Sequence, residues 1–277
     1  MFRLRHILTL LLSLMVAQLM GQTPQETTIN ASHRRYVTPT GAYSNRGTTW
    51  ADAKNNIQDA INDLVASNLL PGEVWVKEGT YRPTESTESG GSSLFASFKI
   101  PAGITVRGGF AGNEVTLNDR MVKYIDKDGN TVGTAKIGDT FSTAYTDKRF
   151  LHPTVLTGDL SSRQANFTWN DQSHRYATQF YGNAYHVVWF ATNGFYSNGR
   201  AKALRLNDAS WTATLEGVTI MRGYAYNSSL EGHPHNAYGG GAYMVDGSMM
   251  RDVRIECCEA SRNGGAIYMD GSGVCDH

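Results

Sequence analysis

The sequence predicts an all-β solenoid closed at one end by a single α-helix and carrying long surface loops. Three observations lead there. β-prone runs of three to six residues recur from Glu73 onward, punctuated by Gly, Asn and Asp. Only one stretch, Trp50 to Asn68, has helical periodicity. A motif then repeats at an offset of 24: Gly240 to Ser248 (GGAYMVDGS) aligns with Gly264 to Ser272 (GGAIYMDGS). Composition agrees. The 277 residues include 29 glycines, 14 tyrosines and five tryptophans, and 40% are hydrophobic, enough for a core rich in tight turns. The 25 basic and 25 acidic side chains balance, which argues against a protein that grips nucleic acid through its phosphates.

Taken in chain order, residues 1–21 read as a secretory signal. Arg3, Arg5 and His6 precede an apolar run from Ile7 to Met20, with cleavage expected near Gly21. That run is shorter than the ~20 residues a membrane span needs, so the mature chain is expected to have no transmembrane helix and to be secreted, extracellular or held at the cell outer surface. Loss of Arg3 and Arg5 takes the net charge from zero to −2. Cys257, Cys258 and Cys275 are too few and too oddly numbered for a disulfide framework, and read as small apolar fillers. Residues 22–35 read as a flexible leader and 36–277 as the folded domain.

Trp50, Ala53, Ile57, Ala60, Ile61 and Leu64 form one apolar helix face, started by Thr49 with Asp52 and ended at Leu70, Pro71 and Gly72. Strands are expected at 73–81, 98–100, 104–110, 154–156, 186–190, 203–206, 215–220, 241–244, 251–255 and 266–269. The polar stretches 111–153 and 160–183 read as large loops. A weaker repeat places Leu215 to Ile220 on Met250 to Ile255, and Ala225 on Ala260, at an offset of 35. One coil at the 24-residue offset holds three short strands and three turns, each strand bonded to its equivalent ~4.8 Å away. Interior positions then stack into ladders of Ile, Val, Leu, Met and Ala. The ends of such a stack are open edges. The helix is placed to cover the first. The last, at Gly273 to His277, lies in mid-repeat, so a C-terminal continuation or a partner is expected to cover it.

These residues resemble the right-handed parallel β-helix of the pectin-lyase-like superfamily, and within it secreted bacterial proteins with polymorphic outer membrane protein repeats. Gly264-Gly265-Ala266-Ile267 matches that repeat's Gly-Gly-Ala-Ile mark, and Gly240-Gly241-Ala242-Tyr243 departs at its fourth position. Ile255 and Cys258 stand where the repeat has Phe and Asn. Further likeness lies in Gly47 to Ala53, Gln58 to Ile61, Glu73 to Val76, Gly79 to Tyr81 and Gly108 to Gly112. The resemblance implies the fold and export. It leaves activity open, because the superfamily holds lyases, hydrolases and non-catalytic adhesins.

Lyases of that resemblance use carboxylate-held Ca2+, and hydrolases use clustered Asp side chains. In the 24-residue register Asp246 stacks on Asp270, which makes them the candidate catalytic or metal-holding pair. Read plainly, each is the Asp of an Asp-Gly turn. Asp252 and Asp276 form a second such pair. His233 and His235 are held apart by Pro234 and read as surface loop. Tyr181, Tyr185, Trp189, Tyr196, Tyr224, Tyr226 and Tyr238 are candidate ligand contacts, since flat rings stack on sugars; packing ladders are the alternative. The expected function is a non-catalytic, adhesin-like or glycan-binding display scaffold whose partner is a polysaccharide or cell-surface ligand. The alternative is a lyase or glycoside hydrolase acting on acidic polysaccharide, which demands a groove with three or more converging charged side chains.

Overall fold

Short β-branched and aromatic runs pair early in this chain, and glycines decide where they turn. The structure, a computed structural model, describes residues 29–86, 93–160, 182–191, 195–197, 200–202, 211–226, 237–270 and 274–276. The signal expected at 1–21, the strand expected at 203–206 and most of the loop expected at 160–183 lie outside them. The strands begin with β1 (Arg34–Val37), β2 (Gly72–Lys77), β3 (Gly79–Tyr81), β4 (Phe98–Pro101) and β5 (Ile104–Phe110). Next come β6 (Met121–Ile125), β7 (Thr131–Lys136), β8 (Asp147–Phe150), β9 (Thr154–Thr157) and β10 (Val188–Ala191). A hairpin of β11 (Phe195–Ser197) and β12 (Arg200–Lys202) leads to β13 (Ala213–Glu216), β14 (Val218–Met221), β15 (Tyr224–Ala225) and β16 (Ala242–Val245). The last are β17 (Ser248–Arg251), β18 (Arg254–Glu256), β19 (Glu259–Ala260), β20 (Ile267–Asp270) and β21 (Val274–Asp276).

Three long sheets are wholly parallel: β1-β2-β5-β13-β17-β21, β3-β9-β14-β18 and β4-β10-β16-β20. From β2 onward the chain visits them in rotation, contributing one strand to each before returning to the first. Runs that read as single strands therefore turn a corner. Leu215 to Ile220 splits at Gly217 (φ 68°), and Arg251 to Ile255 splits at Asp252 (φ 50°). Glycine adopts that conformation at no steric cost, and Asp is among the few other residues that tolerate it.

The 35-residue offset is the register of the sheets: Leu215 opposes Met250, Ile220 opposes Ile255 and Ala225 opposes Ala260. The 24-residue offset is not. Ala242 opposes Ile267, Tyr243 opposes Tyr268 and Met249 opposes Val274, a spacing of 25. The Gly-Gly-Ala string is in phase at 24, but strand pairing obeys side-chain alternation, and a one-residue slip would turn Met244 and Met269 to opposite faces. Between the sheets lies a single dry core built from Val74, Val106, Leu215, Leu156, Ile220, Phe98, Val188, Phe190 and Met244.

Two expectations about the N-terminal part are corrected. The leader is paired from Arg34, where the Arg34 guanidinium meets Glu73 at 2.5 Å. The expected long helix is two pieces. A 3-10 turn at Trp50–Asp52, capped by Thr49, gives way to extended chain at Ala53. There Lys54 exchanges backbone hydrogen bonds with Tyr36 and Thr38 of the first-strand region. Those bonds satisfy groups a helix would otherwise hold. Asn56 then caps α1 (Ile57–Ala66) by accepting from the N–H groups of Gln58 and Asp59. Ile57, Ala60, Ile61 and Leu64 are buried, and the helix packs on β1, β2 and β4. Gln58, 1% exposed, accepts from Lys99 N–H (2.8 Å) and donates to Lys99 C=O (3.3 Å). It thereby answers the free edge of β4, so the helix covers the sheet end in hydrogen bonds as well as in apolar area.

Candidate functional site

The stretch 111–153, expected as loop, contains a three-stranded antiparallel sheet in the order β7-β6-β8. Its alternation is hard to read, because β8 is Asp-Lys-Arg-Phe and β7 is broken by Gly133. Tertiary packing compensates. The Phe141 ring lies where a Cβ on Gly133 would be (2.6 Å) and stacks on Tyr124 at 3.9 Å.

Two side chains dock this insert on the first long sheet. Arg120, 3% exposed, donates to Glu216 (2.6 Å) and to Gly108 C=O (3.2 Å). The Phe150 ring lies against Gly109 and Gly217, where no Cβ would fit. Glu216 also pairs with Arg107, which reaches Glu73 at 3.2 Å, and Glu73 holds Arg34. The result is a buried chain of alternating charges across the sheet face, each ion answered by its neighbours.

Between the insert and the β9-β14-β18 sheet lies an open groove of about 770 Å3. Its floor is the outward row Val155, Thr219 and Arg254, paired strand to strand, with Met221 and Glu256 in the next row. One wall is Tyr145 to Phe150 with Lys123. Tyr145 is 46% exposed and packs edge-on against Tyr124 at 4.6 Å, which fixes its ring beside the opening. Four charges converge. Arg149 donates to Asp147 at 2.7 Å, Arg254 donates to Asp147 at 3.3 Å, and Arg254 also donates to Glu256. Burial works to raise the Asp147 pKa, but the Arg149 hydrogen bond and the charges of Arg149 and Arg254 outweigh it and hold the carboxyl below its usual range. The Glu256 hydrogen bond raises Arg254. Asp147 and Arg254 are therefore ionised at neutral pH, and Asp147 carries no proton to donate.

The expected site residues fall elsewhere. Asp246 and Asp270 are exposed but not stacked: Asp270 opposes Val245 and accepts a hydrogen bond from Tyr243 at 3.2 Å. Asp276 opposes Arg251, not Asp252. No three His, Cys, Asp or Glu side chains converge among the described residues. Register thus does not bring the Asp246 and Asp270 carboxylates together as a cation-holding pair. His233, His235 and Tyr181 lie outside the described residues, as does the Tyr196 side chain.

Of the aromatic candidates, Trp189 is 4% exposed and stacks on Tyr243 at 4.4 Å, which in turn packs on Tyr268. Trp189, Tyr243 and Tyr268 share one register row, so this is a packing ladder. Tyr224 is also buried, stacked on the partly exposed Tyr226. Tyr185 packs on Phe95, and Tyr238 on Tyr268. Sequence reasoning missed Tyr145, Asp147, Arg149 and Arg254. Its only signal was the aromatic and charged density of 141–150 within a stretch that otherwise reads as loop. No protein-family model, curated protein or solved structure matches the chain.

Proposed function

We propose that this chain is an exported, surface-directed module wound as a right-handed parallel β-helix, and that it holds an extended polysaccharide in the groove without cleaving it. The rotation of the chain through three parallel sheets supports the winding, and the signal-like residues 1–21 support export. The groove carries the binding reading. It is open along a sheet face, bordered by the exposed ring of Tyr145, and lined by charged groups of which Asp147, Arg149, Arg254 and Glu256 are paired with one another. A ring beside a polar channel suits the flat apolar face and hydroxyl rim of a sugar. Calorimetric titration against a panel of neutral and charged polysaccharides tests it. Tyr145→Ala is expected to lower affinity about tenfold with an unchanged melting temperature. Absence of binding across the panel overturns the reading.

A second reading rests on the two carboxylates, Asp147 and Glu256, that flank Arg254 in the same groove. Paired carboxylates serve glycoside hydrolases. Release of reducing ends or unsaturated products from an acidic polysaccharide, abolished by Asp147→Asn, would favour this reading over simple binding.

A further inference from the structure

Lys123 on β6 and Arg149 on β8 are directly opposed in the antiparallel register, and both line the groove. Like charges opposed across a strand pair repel. Arg149 is partly compensated by Asp147, two residues back on its own strand. Lys123, half-buried, has no ion pair among the described residues. Of the three carboxylates that line the groove, Asp147 and Glu256 are already held by Arg149 and Arg254, and Asp252, at the corner between β17 and β18, makes no ion pair with Lys123. A half-buried ammonium facing a guanidinium is an unfavourable arrangement that a bound oxyanion would relieve.

We propose that Lys123 and Arg149 form an anion subsite, which selects polymers bearing a carboxylate, sulfate or phosphate group over their uncharged counterparts. Lys123 is the specificity-determining residue, and the negative group sits between the two cations while Tyr145 packs on the polymer backbone. The proposal rests on the groove being a polysaccharide site and adds to that reading the charge of what it takes.

The test compares dextran with dextran sulfate on the full chain by titration at low and at physiological salt. The sulfated polymer is expected to bind at least about tenfold more tightly at low salt, with the gap narrowing as salt rises. Lys123→Gln should close most of that gap, Lys123→Arg should keep it, and Tyr145→Ala should weaken both polymers alike. Equal binding of the two polymers overturns the anion subsite and leaves the polysaccharide reading standing. A sulfate preference that survives Lys123→Gln overturns the assignment to these residues. Failure to bind either polymer, or any member of the wider panel, overturns both.

Discussion

Glu216 shows how much one residue carries. It is 3% exposed, pairs with Arg107 and Arg120, and lies 4.0 Å from Arg251. Removing it strands the buried Arg120 guanidinium, while Arg107 keeps its pair with Glu73. Glu216→Ala is expected to cost about 3–5 kcal/mol, because the loss is mostly the penalty of stranded charge rather than the worth of the pair. Urea unfolding measures it, and a loss under about 1 kcal/mol would mean that water reaches this site. None of this is legible along the chain. Arg107, Glu216, Arg251 and Asp276 occupy one outward row in the paired strands, yet they are separated in sequence by unequal intervals. Asp246 and Asp270 teach the converse: they look alike in sequence and are parted by one residue of register.

At the level of elements, the insert is held by fit as much as by charge. Gly217 sits at the corner between β13 and β14 with φ 68°, and an added Cβ would lie 2.9 Å from the Phe150 ring and 3.1 Å from Gly108 O. Gly217→Ala therefore strains the corner and pushes the insert off the sheet. An expected loss of about 1–3 kcal/mol follows from the backbone strain and overpacking. Thermal unfolding reads the loss, and limited proteolysis within 126–146 should quicken in the variant. An unchanged cleavage rate would show that Arg120 alone keeps the insert docked. The helix was visible in the sequence as a period, but its split was not. Periodicity reports which residues share a face, whereas the break at Ala53 comes from hydrogen bonds to a strand sixteen residues earlier.

Across the whole molecule, protection should be graded. Val106 and Leu215 are fully buried, while Ile255 and Ile267 in the same kind of inward position are half-buried and Cys275 is exposed. Hydrogen exchange is expected to be slowest in β5 and β13 and fastest in β18 to β21. Uniform protection would mean that the last strands are covered by something else. The residue pattern alone determined the strand-rich architecture, the covering helix, the interior ladder residues and the 35-residue register. These follow from alternation, glycine placement and repetition, which are local properties. Tertiary structure alone decided the 25-residue register, the antiparallel insert and the groove. Asp147 meets Arg254 at a separation of 107 positions, and a contact of that span depends on how strands stack, which no local pattern records.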